Sequence, residues 1–215
     1  MFGLIAFKAT DVPATNLVEN GDFSNGINGW LFSSGEATVT DNVLNFISDT
    51  NLNVYTKVKH PIIKKPQIND VVYGACYIKV ADTSNIKSFS IQPNATNYRG
   101  RFAISSSPKL NEWVKLSGVS KLANESDFFT VGAETKGDGT VVEYQIKNNI
   151  YINLTKTFGV GNEPTAEQMD KLLEQFPNSW FDGAKNIFNA EHLMAMYFNK
   201  MKELDNAIVE LGGNP

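Results

Sequence analysis

The chain offers few side chains that could carry out catalysis. It has one cysteine and two histidines, and neither His60 nor His192 has a Cys, Asp or Glu at the spacing that metal ligands use. The chain therefore lacks the residues from which a nucleophilic catalytic triad is built. Glu134 and Glu143 flank a predicted turn and could form the carboxylate pair of a glycoside hydrolase, but both alternate with apolar residues and are expected to face solvent. We expect no catalytic residue, no metal and no cofactor.

A binding surface is the remaining candidate for function. Sugars are held by flat aromatic rings, with amides, carboxylates and arginines on their hydroxyl groups. The segment 71–80 alternates as a strand, and placing Cys76 on its core side puts Tyr73 and Tyr77 on the outer side. If the neighbouring strands share one sheet, the predicted glycan-binding patch is Tyr73, Tyr77, Gln92, Arg99, Arg101, Trp113, Glu143 and Gln145.

The same aromatic residues have an alternative, structural interpretation. Trp113 alternates with apolar residues and could belong to the core. Tyr73 and Tyr77 could be covered by the C-terminal helix or by a neighbouring subunit. Cys76 lies within a strand pattern and is expected to be a buried, unreactive thiol.

The elements that must position these residues are short strands. About ten runs with period-two alternation follow each other at a spacing of roughly 8–12 residues, which predicts an all-β sandwich. Asp41-Asn42 is a two-residue hairpin signal between two of these strands. The last strand is predicted over Ile150, Ile152 and Leu154. Thr165 then caps a short closing helix, with Gln168 completing a capping box.

The C-terminal segment changes to a helical period. Its apolar residues are spaced alternately three and four apart, which is a heptad pattern. They are Ile187, Ala190, Met194, Tyr197, Met201, Leu204, Ile208 and Leu211. This helix is expected either to self-associate or to cover an open face of its own domain, because a helix of about 25 residues is not stable alone on propensity.

The net charge and the hydropathy of the N-terminal segment limit the classes of partner that we expect. The formal net charge is −4 and the pI is about 5.2, which argues against a nucleic-acid-binding face. The apolar residues near the N-terminus form too short a run for a signal peptide or a membrane span, so we expect neither.

Two stretches resemble known proteins. TFGVGNEPTAEQMDKLLEQFPNSWFDG (residues 157–183) resembles the closing segment of β-sandwich modules in tail and baseplate proteins of phages that infect Gram-positive bacteria. NLVENGDFSNGINGW (residues 16–30) resembles the start of carbohydrate-binding modules of the galactose-binding-like jelly-roll type. The resemblance implies a jelly-roll β-sandwich at residues 16–183, an N-terminal arm at 1–15 and a C-terminal oligomerisation helix at 184–215.

The resemblance also implies a role in a virion. The expected protein is a non-enzymatic tail, baseplate or fibre component, a homotrimer with other tail proteins as partners, attached to host cell-surface carbohydrate. It would be made in the bacterial cytoplasm. A structural Ca²⁺, found in many sugar-binding jelly rolls, would have Asp22 and Asp182 as oxygen donors, but no Asp-rich loop supports it. The alternatives are a purely structural assembly protein and the non-catalytic module of a glycan-degrading enzyme.

Overall fold

Two antiparallel sheets packed face to face form the body of the protein, a jelly-roll β-sandwich with few helices. The computed structural model describes residues 13–49, 55–95, 98–99, 101–105, 109–136, 139, 141–183, 188–189 and 212. The strands are β1 (Pro13–Ala14), β2 (Leu31–Ser33), β3 (Gly35–Thr40), β4 (Val43–Ser48), β5 (Tyr55–Pro61), β6 (Val71–Lys79), β7 (Ile86–Ala95), β8 (Tyr98–Arg99), β9 (Ala103–Ser105), β10 (Val114–Lys121), β11 (Phe128–Thr135), β12 (Glu143–Asn153) and β13 (Phe188–Asn189). The all-β prediction is confirmed.

Most strands that follow each other in the sequence lie in different sheets. One sheet has five strands in the order β10-β6-β12-β4-β3. The other has the order β2-β5-β11-β7-β8, with β9 also paired to β7. The predicted hairpin at Asp41-Asn42 joins β3 to β4, and both residues have positive φ, as a type I′ turn requires.

The main core lies between the two sheets. Alternate residues of each strand point into it, as period-two geometry demands. Phe89, Ile91 and Val131 come from the six-stranded sheet, Cys76 and Ile78 come from the five-stranded sheet, and all five are fully buried. The prediction that Cys76 is buried is confirmed, and this burial raises the pKa of its thiol.

A second apolar cluster covers part of the outer face of the five-stranded sheet. It is built by two helices, α1 (Leu154–Phe158) and α2 (Ala166–Leu173), and by the aromatic segment after them. The capping box of Thr165 and Gln168 begins α2, as predicted. The last sheet strand ends at Asn153 and Leu154 starts α1, so the prediction of strand at Leu154 is wrong. Asn153 favours the helix because its side chain caps the Lys156 amide.

Asp170 of α2 fixes this helix to the sheet beneath it. Its carboxylate accepts hydrogen bonds from the Tyr73 hydroxyl at 2.6 Å and from the Ser117 hydroxyl at 2.6 Å. The Lys115 ammonium lies 2.6 Å from the same carboxylate. Tyr73 is fully buried, and its desolvation, with the Asp170 carboxylate next in importance, raises the pKa of its hydroxyl.

The start and the end of the sandwich meet at Asn16. Its amide donates to the carbonyls of Asn149 and Phe181, and its side-chain oxygen accepts from the Val18 and Tyr151 amides. The Trp180 indole also donates to the Asn149 carbonyl, at 3.0 Å. The two stretches that carry the family resemblance are therefore in contact, and they meet at an irregularity in the pairing of β12 with β6.

The C-terminal segment begins differently from its prediction. Phe188–Asn189 pairs with Pro13–Ala14 as a two-stranded ribbon, where the heptad pattern predicted the first turn of a helix. Backbone pairing with the N-terminal segment outweighs helical periodicity at these two residues. The remaining heptad positions, from Ile187 to Leu211, lie outside the described residues, so self-association stays a prediction. No helix in the described ranges has the length and apolar character to span a membrane.

His60 is a buried base at the edge of the core. It is 4% exposed and packs edge-on against Trp30, with ring centroids 5.1 Å apart. Desolvation lowers the pKa of His60 to about 4, whereas an unfolded histidine titrates near 6.5. Between these two pH values the unfolded chain binds the extra proton, so stability is lost as the pH falls through this window.

Replacing His60 by Gln should reduce the pH dependence of stability. We expect the denaturant midpoint of the wild-type chain to fall more steeply between pH 6.5 and pH 4.5 than that of His60→Gln, because the variant has no proton to take up at this site. Lys121→Gln, which alters an exposed residue, is the control and should keep the wild-type slope. Equal slopes for the wild type and His60→Gln would contradict the assignment.

Replacing Asp170 by Ala should destabilise the sandwich. The change leaves the buried Tyr73 hydroxyl without its acceptor, which costs about 1–3 kcal/mol of unfolding free energy. Glu167→Ala on the same helix is the matched control, because its salt bridge to Lys171 is exposed and contributes less than about 1 kcal/mol. Urea unfolding followed by tryptophan fluorescence measures both, and equal losses would show that α2 is not anchored through Asp170.

Candidate glycan-binding faces

The predicted patch is divided between the two sheets. Tyr73, Tyr77, Glu143 and Gln145 lie in the five-stranded sheet, with Trp113 just before its edge strand β10. Gln92 and Arg99 lie in the six-stranded sheet, and Arg101 is an exposed residue between β8 and β9. The prediction of one shared sheet is wrong, because β7 pairs with β11 and not with β6. The two candidate faces are on opposite sides of the sandwich.

Tyr73 is not part of any ligand-binding surface. The sequence alternation placed it correctly on the outer face of β6, but α2 covers that part of the face and leaves Tyr73 fully buried. The covering helix comes from a segment about a hundred residues further along the chain. The alternation within β6 therefore cannot indicate that this helix covers Tyr73. Tyr73 therefore has a structural role, as the alternative interpretation held, but α2 covers it and not the C-terminal helix or a neighbouring subunit that this interpretation named.

The other half of the five-stranded sheet keeps its outer face open. Tyr77 is half-buried and lies in register between Lys115 of β10 and Lys147 of β12. The Lys147 ammonium stands 4.2 Å from the centroid of the Trp113 ring, which is a cation–π contact. Since Lys147 caps the Trp113 ring and Lys115 pairs with Asp170, this face presents little bare aromatic surface.

A polar cleft continues this open half towards β4. Its volume is about 440 Å³, and Asn45, Lys79, Glu143 and Gln145 line it together with the half-exposed Ile47. Gln145 donates to the Asn45 side-chain oxygen at 2.6 Å. The predicted residues Glu143 and Gln145 therefore do lie together on a solvent-facing surface, and they stay candidates.

The outward residues along the three central strands of the six-stranded sheet are mostly polar, and we call this surface the trough. Register places the outward residues of β5, β11 and β7 side by side. These residues, which define the trough, are Tyr55, Lys57, Lys59, Phe128, Thr130, Gly132, Glu134, Ser88, Ser90, Gln92 and Asn94. Amides, hydroxyls, ammonium groups and two aromatic rings are the groups that bind sugars.

The floor of the trough is the central strand β11. Thr130 is 1% exposed and lies in register between Lys59 and Gln92. Gly132 lies between Lys57 and Ser90, and it adds no side chain at the centre. A Cβ at Gly132 would lie 2.7 Å from the Thr56 carbonyl oxygen, so a glycine is required there on steric grounds.

Hydrogen bonds hold the polar groups of the trough in place. Gln92 donates through Nε2 to the Ser90 hydroxyl at 2.8 Å, and Asn94 donates through Nδ2 to the Thr130 hydroxyl at 3.0 Å. Glu134 lies 3.9 Å from the Lys87 ammonium at the end of β7. Gln92 and Asn94 are each 8% exposed and Thr130 is 1% exposed, so the half-exposed polar groups around this buried centre are those of Lys57, Lys59, Ser88 and Ser90. Neighbouring strands lie about 4.8 Å apart, a spacing that suits the repeating hydroxyls of a saccharide chain lying across them.

Sequence reasoning found only Gln92 and Arg99 on this sheet and missed the rest of the trough. The signal was present in β5, where Thr56, Val58 and His60 point inward and are buried. That alternation places Tyr55, Lys57 and Lys59 outward. The sequence could not show that β5 and β7 flank the same strand, β11, because the pairing joins segments that are far apart in the chain.

The two glutamates considered as a catalytic pair do not lie together. Glu134 and Glu143 belong to β11 and β12, which lie in different sheets, so the hairpin geometry considered for them is wrong. Asp22 accepts from the amide and hydroxyl of Ser24 in a local turn. Across the described ranges, no three His, Cys, Asp or Glu side chains are grouped so that they could hold a metal ion.

Comparisons with known proteins give structural neighbours only. No protein-family model matches the chain, and no curated protein matches it. The CBM22-2 xylan-binding domain of Xyn10C from Paenibacillus barcinonensis is 11% identical, with a TM-score of 0.47 over 62% of this chain and 97% of that one. A variant of the carbohydrate-binding module CBM29-2 is 12% identical, with a TM-score of 0.47 over 68% of this chain and 87% of that one.

A further neighbour is part of a phage protein. The enzymatically active domain of tailspike protein 4 from bacteriophage CBA120 is 16% identical, with a TM-score of 0.45 over 64% of this chain and 21% of that one. All three neighbours have TM-scores below 0.5 and identities of 11% to 16%. The assignment of a function therefore depends on the geometry of the two faces.

Proposed function

We propose that this protein is a non-catalytic glycan-binding protein that holds its ligand in the trough of the six-stranded sheet. The observation that carries the proposal is the row of polar side chains across β5, β11 and β7, which register brings side by side over a glycine-containing floor. The outer face of the other sheet is half covered by α1 and α2. A polymer lying across the strands of the trough would meet the half-exposed polar groups of Lys57, Lys59 and Ser90.

We propose further that the protein serves in a phage or prophage tail, baseplate or fibre. The support is the resemblance of residues 157–183 to closing segments of such proteins. In this chain that segment has a structural role, since Glu163 binds the Thr155 hydroxyl and the Gly161 amide at the turn before α2. Self-association through the heptad segment would give several weak sites avidity for host cell-surface carbohydrate.

Two amide variants test the location of the site. Gln92→Ala removes an amide from the trough, and Gln145→Ala removes a matched amide from the five-stranded sheet; each donates to a neighbouring side chain. In affinity electrophoresis through xylan, hydroxyethylcellulose, polygalacturonate or wall teichoic acid, we expect at least one polysaccharide to retard the wild-type chain. We expect Gln92→Ala to weaken that retardation about 3- to 10-fold, the effect of one lost hydrogen bond, and Gln145→Ala to leave it unchanged.

Two outcomes would overturn the proposal. Loss of retardation in Gln145→Ala, with Gln92→Ala unchanged, would move the site to the five-stranded sheet and its cleft. No retardation of the wild-type chain by any of the four polysaccharides would favour the purely structural alternative. Circular dichroism of both variants checks that each keeps the wild-type fold.

A further inference from the structure

Lysine side chains lie over both aromatic rings of the trough. The Lys57 ammonium is 5.6 Å from the centroid of the Tyr55 ring, and the Lys59 ammonium is 5.5 Å from the centroid of the Phe128 ring. Both distances are within the range of cation–π contacts, which extends to about 6 Å. Tyr55 is 38% exposed, so its ring reaches the surface with a cation above it.

This arrangement differs from a platform for a neutral sugar. Neutral sugars stack their C–H groups on a bare ring face. Here a ligand that approaches Phe128 or Tyr55 from the trough meets an ammonium group as well as the ring. Direct stacking would require the lysine to leave its ring and to keep its charge solvated elsewhere. A ligand that carries negative charge instead gains a charge-assisted hydrogen bond from the same lysine.

The charged residues of the trough also favour a negatively charged ligand. Two lysines, Lys57 and Lys59, stand among its outward positions. Glu134 is the single carboxylate among the trough residues defined above, and it faces Lys87 at 3.9 Å. The chain as a whole has a net charge of −4, so the trough is locally opposite in charge to the protein that carries it. Such a local field attracts anions and excludes like charges.

We propose that the glycan held in the trough is acidic, with carboxylate or phosphate groups bound by Lys59 and Lys57 and neutral hydroxyls bound by Gln92. Register supports this division of roles. Lys59, Thr130 and Gln92 form one row across β5, β11 and β7. Lys59 is half-exposed, whereas Thr130 is 1% and Gln92 is 8% exposed, so a charged group bound at β5 would place the adjoining sugar over the buried part of the row, where the Gln92 amide is the group it can reach. This inference rests on the proposed function of the trough.

The test compares two forms of one polymer, of which one has its carboxylates converted to uncharged methyl esters. Binding of the full chain to polygalacturonate is measured by isothermal titration beside its fully methyl-esterified form, which removes the carboxylate charge. We expect binding to the esterified polymer to be at least about tenfold weaker, because charge-assisted hydrogen bonds are lost. Raising the salt concentration from about 20 mM to about 200 mM should weaken binding of the acid form, since the Debye length shortens from about 20 Å to below 10 Å.

Three lysine variants assign the effect to residues. Lys59→Gln should weaken binding of the acidic polymer at least about fivefold, and Lys59→Arg should retain most of it, since the charge is kept. Lys121→Gln, an exposed lysine of the five-stranded sheet, is the matched control and should bind as the wild type does. Thermal unfolding of each variant separates a binding defect from a folding defect.

The outcomes distinguish this inference from the proposed function. Polygalacturonate or glycerol-phosphate teichoic acid bound through Lys59 supports the inference, and the two polymers identify the charge as carboxylate or phosphate. Equal binding of neutral and acidic polymers, still weakened by Gln92→Ala, overturns the inference and leaves the glycan-binding trough intact. Binding of none of the polymers overturns both.

Discussion

The seating of α2 on the five-stranded sheet through Asp170 determines which surfaces this protein can use. One carboxylate accepts from the Tyr73 and Ser117 hydroxyls and pairs with Lys115, all at 2.6 Å. A buried hydroxyl without an acceptor is costly, and the Asp170 carboxylate offsets this cost for the buried Tyr73 side chain. The helix in turn brings Met169, Leu172 and Leu173 onto the sheet, where they are buried with the second apolar cluster.

The two outer faces of the sandwich therefore differ in how much of their surface is open to a ligand. The five-stranded sheet retains an open half around Tyr77 and the cleft at Gln145, but its lysines already engage Asp170 and Trp113. The six-stranded sheet presents a continuous outward row across β5, β11 and β7. Lysines cap aromatic rings on both faces, so the arrangement of charge over aromatic surface is a property of this sandwich and not of one site. It separates the chain from a binding protein built for neutral sugars by stacking alone.

Sequence patterns correctly predicted the features that depend on interactions between residues close together in the chain. The alternation in β6, the Asp41-Asn42 turn and the capping box at Thr165 each depend on residues a few positions apart, and all three are confirmed. The glycan patch failed where it needed sheet membership. Gln92 was grouped with Tyr77 although β7 pairs with β11, and Tyr73 was placed in solvent although α2 covers it. Pairing and coverage join segments far apart in sequence, and a single sequence carries no local signal for either.

Mapping of amide chemical shifts during titration with oligogalacturonate tests the central claim, that the trough is the ligand site, most directly. If the ligand binds in the trough, the largest shifts are expected at backbone amides of β5, β7 and β11, around Lys59, Gln92 and Thr130. The amide resonances of β6 and β12 near Tyr77 and Gln145 should not change. Shifts centred on Tyr77 and Gln145, or spectra unchanged by millimolar oligogalacturonate, glycerol-phosphate oligomer and xylo-oligosaccharide alike, would contradict it.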